Sequence, residues 1–277
     1  MKKNNLTKHL LLFCSIIIQW QLAFAGNENR PIGARQTGMG STGVTTIDLW
    51  SIHHNQAALA FLEKPVAGIF HENRFNLKEL SNSAIAFALP LKNKAFGISY
   101  NRFGFELMNE SKTGISYAHK LSKNFAASVQ LNYLETRFGD SYYGKSSFIN
   151  AEIGILGKVN QNLSIGFHVY NVNRSKFAEY NQQRIPTNFR LGLGYKFSEK
   201  VFTTLEAEKS SYNNTFIRAG IEYMPYKNIY LRIGFKGFPI ESSFGVGLRY
   251  NNFSFDFGAA YHSNLGFSPA FGLNYAF

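Results

Sequence analysis

An all-β fold, a transmembrane antiparallel β-barrel of about fourteen strands with a short N-terminal hatch in its lumen, is what this chain predicts. Three observations predict it. Large apolar residues alternate with small or polar ones, with a period of two, through most of the chain from Pro65 onward. The alternating segments run to about ten residues, the length a tilted strand needs to cross a bilayer. Tight turns and longer loops take turns between them, as on the two sides of a membrane barrel.

The C-terminal stretch shows the period best. Phe253, Phe255, Phe257, Ala259 and Tyr261 fall on one side, against Ser254, Asp256, Gly258, Ala260 and His262. After a short loop, Phe271, Leu273, Tyr275 and Phe277 resume the pattern against Ala270, Gly272, Asn274 and Ala276. A helix would spread these rings round its circumference; a strand sets them on one face. Moving back along the chain, the same reading turns Phe244, Val246, Leu248 and Tyr250 outward, then Ile229, Leu231, Ile233 and Phe235, then Ile217, Ala219, Ile221 and Tyr223. Phe189 to Phe197, Leu163 to Val169 and Ile149 to Ile155 follow in steps of two. The first half adds Phe125 to Tyr133, Phe96 to Tyr100 and Ile85 to Leu91. Pro65 to Phe70 and Thr113 to Leu121 alternate least clearly. Tyr at strand ends, Tyr100, Tyr133, Tyr170, Tyr195, Tyr223, Tyr250 and Tyr275, suits the level of lipid headgroups, ring in lipid and hydroxyl in water.

The tight connections are Lys92-Asn93, Ser122 to Asn124, Asn160 to Asn162, Ser198 to Lys200, Pro225 to Asn228 and Asn251-Asn252. Between them stand longer ones, notably Phe138 to Ser146 and Val172 to Thr187. Short turns belong on the periplasmic side, and an even strand number then puts both ends of the chain there.

The first residues do not belong to the wall. Lys2, Lys3 and Lys8, an apolar run from Leu10 to Ile18 and Ala23-Phe24-Ala25 read as a secretory leader, residues 1–25, removed after Ala25. Cys14, the one cysteine, lies inside it, so the exported protein carries no disulfide and no thiol chemistry. No later run approaches the roughly 18 apolar residues of a transmembrane helix. Mean hydropathy of −0.17 suits a soluble protein equally well, because lipid-facing and lumen-facing residues average out in a barrel. The aromatic content of 16% decides between them, since so many rings need a large apolar surface to cover. A soluble β-sandwich would also show one apolar face, but its other face would be rich in Thr, Lys and Glu. Here the second face carries Gly, Ala, Ser and charges of both signs, as a narrow lumen prefers.

The formal charge is +12. Its basic residues are scattered singly through strands and turns, which argues against nucleic acid and for anionic outer-membrane lipids as partners.

Residues 26–64 do not alternate and form the expected hatch, with residues 65–277 as the barrel. The stretch Gly33-Ala34-Arg35-Gln36-Thr37-Gly38-Met39-Gly40 is glycine-rich, which permits close backbone approach and unusual dihedrals inside a lumen. Gly43, Asp48 and His54-Asn55-Gln56-Ala57-Ala58-Leu59 follow. Together these residues resemble the N-terminal hatch of the long-chain fatty-acid transporter (FadL) superfamily, most of all its PorV/PorQ branch from bacteria with type IX secretion. Proteins of that branch open with Ala-Arg-x-x-Gly-Met-Gly, then an Asp, then Asn-Pro-Ala. Ala34, Arg35, Gly38, Met39, Gly40, Asp48, Asn55 and Ala57 match, while Gln56 stands where the family has Pro. The resemblance implies a fourteen-stranded outer-membrane barrel, and it makes Phe277 the terminal aromatic that barrel-assembly machinery reads.

On the inward register the early strands carry small residues, among them Ala84, Ala86, Ala88, Gly97, Ser116, Ala118 and Ala126. The later strands carry charge: Glu152, Arg190, Lys196, Glu206 and Glu208, then Arg218, Glu222, Arg232, Lys236, Arg249 and Asp256. The hatch is expected to pack against the small-residue half, and the mixed charges to pair across strands and close the pore, since buried charges need partners. Apolar inward residues are few, Leu156, Phe202, Phe216 and Met224.

No G-x-S-x-G, no H-E-x-x-H and no paired carboxylates in a recognisable setting occur, so catalysis, a metal and a cofactor are not expected. Adjacent His53 and His54 turn their rings apart on most backbones. Two functions remain. The PorV/PorQ resemblance implies a secretion-associated barrel that binds secretion-system components or secreted cargo; the FadL resemblance implies passive transport of hydrophobic small molecules.

Overall fold

The computed structural model describes residues 29–139, 144–176, 185–211, 214–237 and 240–277. The expected leader, residues 1–25, lies outside the described residues, as do parts of the two long loops. Fourteen antiparallel strands close into a barrel, each paired with its sequence neighbours and the first with the last. They are β1 Val66–Asn73, β2 Ser81–Leu91, β3 Lys94–Gly104, β4 Met108–Ser122, β5 Phe125–Phe138, β6 Lys145–Lys158 and β7 Leu163–Tyr170. β8 Asn188–Ser198, β9 Val201–Ser210, β10 Phe216–Tyr226, β11 Ile229–Lys236, β12 Glu241–Tyr250, β13 Phe253–His262 and β14 Gly266–Ala276 complete the wall. Closure satisfies the backbone from strand to strand and leaves no free edge, which a bilayer demands of any β structure that spans it.

The outward face is apolar along its whole circumference. Ile115 is 65% exposed, Ile233 61% and Ile149 60%, values that place these side chains against lipid rather than a protein core. Val169 and Ala259 are the exceptions on that face, both buried. Each is shaded by bulkier cross-strand neighbours, Ile153 and Phe189 for Val169, Phe244 and Pro269 for Ala259. Tyr170, expected at headgroup level, instead turns into the lumen, where Lys112 lies over its ring. No helix among the described residues is long and apolar enough to cross a membrane. Thr113 to Leu121, indistinct in sequence, lies within β4 with Gly114, Ser116 and Ala118 inward and Ile115 outward.

The tight turns gather at one end of the barrel, where β4, β8 and β10 each also carry a bulge. Asn228 and Asn251 sit there at positive φ, 71° and 51°, a conformation asparagine tolerates better than most side chains. Phe277 closes that end by donating its N–H to the carbonyl of Pro65.

The N-terminal segment fills the interior. It begins at the loop end, where Arg30 pairs with Glu110 at the start of β4 and lies over the Phe103 ring at the far end of β3. It continues through α1 (Ala34–Gly38) and two 3₁₀ helices, Leu49–His53 and Gln56–Phe61, and reaches the turn end at β1. The 3₁₀ helices present Leu49, Ile52 and Leu59 to Ala86, Ala88, Ala118 and Ala126 of the small-residue half, with Trp50 against the Phe70 ring at 5.8 Å. The segment is not confined to that half. α1 lies against β11, β12, β13 and β14, where Gly245 and Gly258 make room for Gly38 and Ala34.

Candidate functional site: the filled lumen

Besides Glu110, which holds Arg30, three buried carboxylates on the wall hold the segment. Glu222 on β10 receives two bonds from Arg35 in α1, Nε to Oε2 at 2.9 Å and Nη2 to Oε1 at 2.6 Å. A fork-on-carboxylate pair fixes orientation as well as distance. Arg35 also reaches Asp48 at 3.2 Å, and Gln36 reaches the same carboxylate at 2.9 Å. From Glu222 the network runs along the wall to Arg232 at 2.6 Å, then to Asp256 at 2.8 Å and Arg249 at 3.0 Å.

Glu206 on β9 takes the next stretch. Its Oε1 accepts the backbone N–H groups of Gly43 and Val44, both at 2.6 Å, and its Oε2 pairs with Arg190 at 2.5 Å. Arg190 also lies 3.5 Å from Glu208, which Arg218 reaches at 2.7 Å. Both arginines donate to the carbonyl of Ser41. Arg190 donates to His54 Nδ1 at 3.1 Å, which leaves Nε2 of that ring to donate to Ile32 at 2.9 Å. Burial first, and Arg190 second, push the His54 imidazole well below its ordinary range, in keeping with that neutral tautomer. Burial and then Lys112 push His53 down to about 3.

Glu152 on β6 anchors the second 3₁₀ helix. It accepts from Gln56 Nε2 at 2.8 Å, from His168 at 2.9 Å and from Asn132 at 2.7 Å, with Lys112 at 3.4 Å. The Gln56 amide therefore occupies the position where the hatch motif carries Pro and makes a contact Pro cannot make. Asn55 donates to the carbonyls of Val44 and Ile155 at 2.8 and 2.9 Å and accepts from the N–H of Ala57.

Arg35, Asp48 and Asn55 thus stand in these networks, whereas Ala34, Gly38, Met39, Gly40 and Ala57 serve by being small or close-packed. Gly40 has φ +67°, and its N–H meets Ser243 at 2.9 Å. Of the inward charges, Lys236 pairs with Glu241 across the β11–β12 turn. Lys196 is half exposed at the turn end and pairs with Glu199 of its own turn, so it belongs to the mouth and not to the cross-strand network. Glu110, Lys112 and Asn132 were missed by sequence reasoning. They lie on β4 and β5, and β4 is where both faces carry polar residues and the alternation fades.

The two ends differ. At the loop end, among the described residues, small cavities of about 30 and 20 Å³ lie around Arg30. At the turn end a cavity of about 1190 Å³ opens beneath Arg35 and Glu222, with a second of about 260 Å³ beside it. Among the described residues no group of three or more His, Cys, Asp or Glu could hold a metal ion.

No protein-family model matches the chain, and no curated protein sequence does. Solved structures do. The toluene transporter TbuX of Ralstonia pickettii aligns with a TM-score of 0.69 at 12% identity, over 88% of this chain and 98% of that one. The monoaromatic hydrocarbon channel CymD gives 0.70 at 12% identity, over 89% and 97%. A FadL homologue of Pseudomonas aeruginosa gives 0.63 at 12% identity, over 90% and 99%. At such identities it is a likeness of fold, the closed barrel that this chain shares with those structures.

Proposed function

We propose that the chain is a non-catalytic outer-membrane barrel that passes small hydrophobic molecules. The observation that carries this reading is a lumen closed by the chain's own N-terminal segment, within the fold of proteins described as toluene transporters and hydrocarbon channels. A pore so filled excludes ions and water while leaving a cavity on one side for a solute that displaces the segment locally. In this reading residues 1–25 are a cleaved leader, residues 26–64 are the hatch, and Phe277 is the assembly signal. The tight turns face the periplasm. The described part of the segment then begins, at Asn29 and Arg30, near the outer face, at the opposite end of the barrel from Phe277.

A second reading has one observation in its favour. Arg35 and Asn55 of the PorV/PorQ-like motif are tied into the wall, and Asp48 braces Arg35 from within the segment, which suits a permanent plug and leaves the outer surface to engage secretion components or cargo. Uptake separates the two. Cells producing the protein should take up radiolabelled toluene several-fold faster than vector controls, with no gain for a hydrophilic dye. Toluene uptake equal to the control would overturn transport, and translocon components co-purifying from such cells would then favour the second reading.

A further inference from the structure

The cavity of about 1190 Å³ has an edge that hydrocarbon passage does not require. Lys123, Lys158, Lys196 and Lys200 line it, with Lys120 just outside. Lys196 is satisfied by Glu199. Lys120, Lys123, Lys158 and Lys200 have no acidic partner within 4 Å among the described residues. Lys120 and Lys158 both lie over one ring, their Nζ atoms 5.0 and 4.3 Å from the Phe61 centroid. Two ammonium groups held on one phenylalanine repel each other, and an anion between them would relieve that repulsion. The cations deeper in the lumen behave differently, since Arg35, Arg190 and Arg232 are each paired with at least one carboxylate. The excess of positive charge is thus gathered at the turn-end mouth.

We propose that this vestibule binds an acidic polypeptide segment presented from the periplasm. The proposal takes from the reading above only the direction in which the turns face. Three features choose this occupant. The deeper part of the cavity lies inside the wall, lined by inward Ser164, Phe202 and Met224, and headgroups of the surrounding bilayer meet it only at its rim, at Tyr195. Its lysines are spread around a volume far larger than an inorganic anion, so a small ion would meet only one or two of them. Its rim is built of amides, Asn124, Asn160, Gln161 and Asn162, which match peptide groups in both donating and accepting. A chain with several carboxylates engages the lysines together, and complementary charge also speeds its encounter with the mouth.

The test uses the purified full-length protein in detergent micelles and a fluorescein-labelled decaglutamate peptide, followed by anisotropy. Binding is expected at low ionic strength and should weaken as salt rises. The triple variant Lys123→Gln/Lys158→Gln/Lys200→Gln should lower affinity by about tenfold, the reach of three exposed charge pairs of modest strength. The matching Lys→Arg triple should retain it, and Lys78→Gln/Lys176→Gln at the loop end should leave it unchanged. A misfolded variant is recognised by loss of the heat-dependent gel shift of a folded barrel, and the salt series on the unaltered protein still decides the question. Equal affinity in the Gln triple, equal binding of a decaglutamine peptide, or displacement by inorganic phosphate at the same concentration as the peptide would each overturn the proposal. None of these outcomes depends on whether toluene crosses the barrel.

Discussion

Glu206→Ala is expected to release the N-terminal segment while the barrel stays folded. The substitution removes the acceptor of two backbone N–H groups and the closest partner of a buried arginine in one step. Leaving one member of a buried pair without the other costs about 3–5 kcal/mol, and stranding buried N–H groups adds about 1–3 kcal/mol each. The wall loses little, because Glu206 contributes its side chain to the lumen and only its backbone to the strand ladder. The penalty therefore falls on the seating of Gly43 and Val44. Limited trypsin digestion in micelles reads this out at the Arg35–Gln36 bond, whose arginine is largely enclosed in the intact protein, the Arg30–Pro31 bond being refractory to trypsin. Cleavage there should accelerate at least about a hundredfold, the factor that about 3 kcal/mol represents. Glu206→Gln, which keeps shape and one acceptor, should fall between. An Arg35–Gln36 bond protected to the same degree in Glu206→Ala would show that this clamp does not hold the segment.

Gly234→Ala should have an effect as large by a different route. A Cβ at that position would stand 1.9 Å from the amide nitrogen of Gly40 and 2.3 Å from the carbonyl carbon of Met39, a gap no side chain can occupy. Gly40 has no freedom to yield: it already sits at positive φ, and a Cβ of its own would come within 2.5 Å of the Phe235 carbonyl. Two backbones meet here, and only glycine on both sides lets them. The alanine variant should fold as a barrel but admit ions in planar bilayers, with the segment displaced. Gly157→Ala, whose added methyl would meet nothing closer than 3.6 Å, is the control and should behave as the unaltered protein does. A Gly234→Ala protein as silent as the control would contradict the packing described.

The wall was legible in the sequence because a period of two is a local property, readable wherever lipid demands one apolar side. β12, β13 and β14 show it without a break. The lumen was legible only as a list. Glu206, Arg190 and Glu222 read as inward charges, but which carboxylate meets which guanidinium depends on the stagger of neighbouring strands and on a segment far away in sequence. Gln56 shows this best: as a residue it reads as a missing proline, and in three dimensions it is the donor that ties the second 3₁₀ helix to Glu152. The course of the segment was hidden for the same reason. Nothing local to Arg30 states that it lies beside Glu110, at the opposite end of the barrel from Phe277.

The central claim is that residues 26–64 close an otherwise open barrel. Single-channel recording in planar bilayers tests it most directly, on the full mature protein and on a variant lacking residues 26–64. The full protein should show no large steady conductance, and the shortened one should conduct steadily. A large steady current of equal size from both would contradict the account.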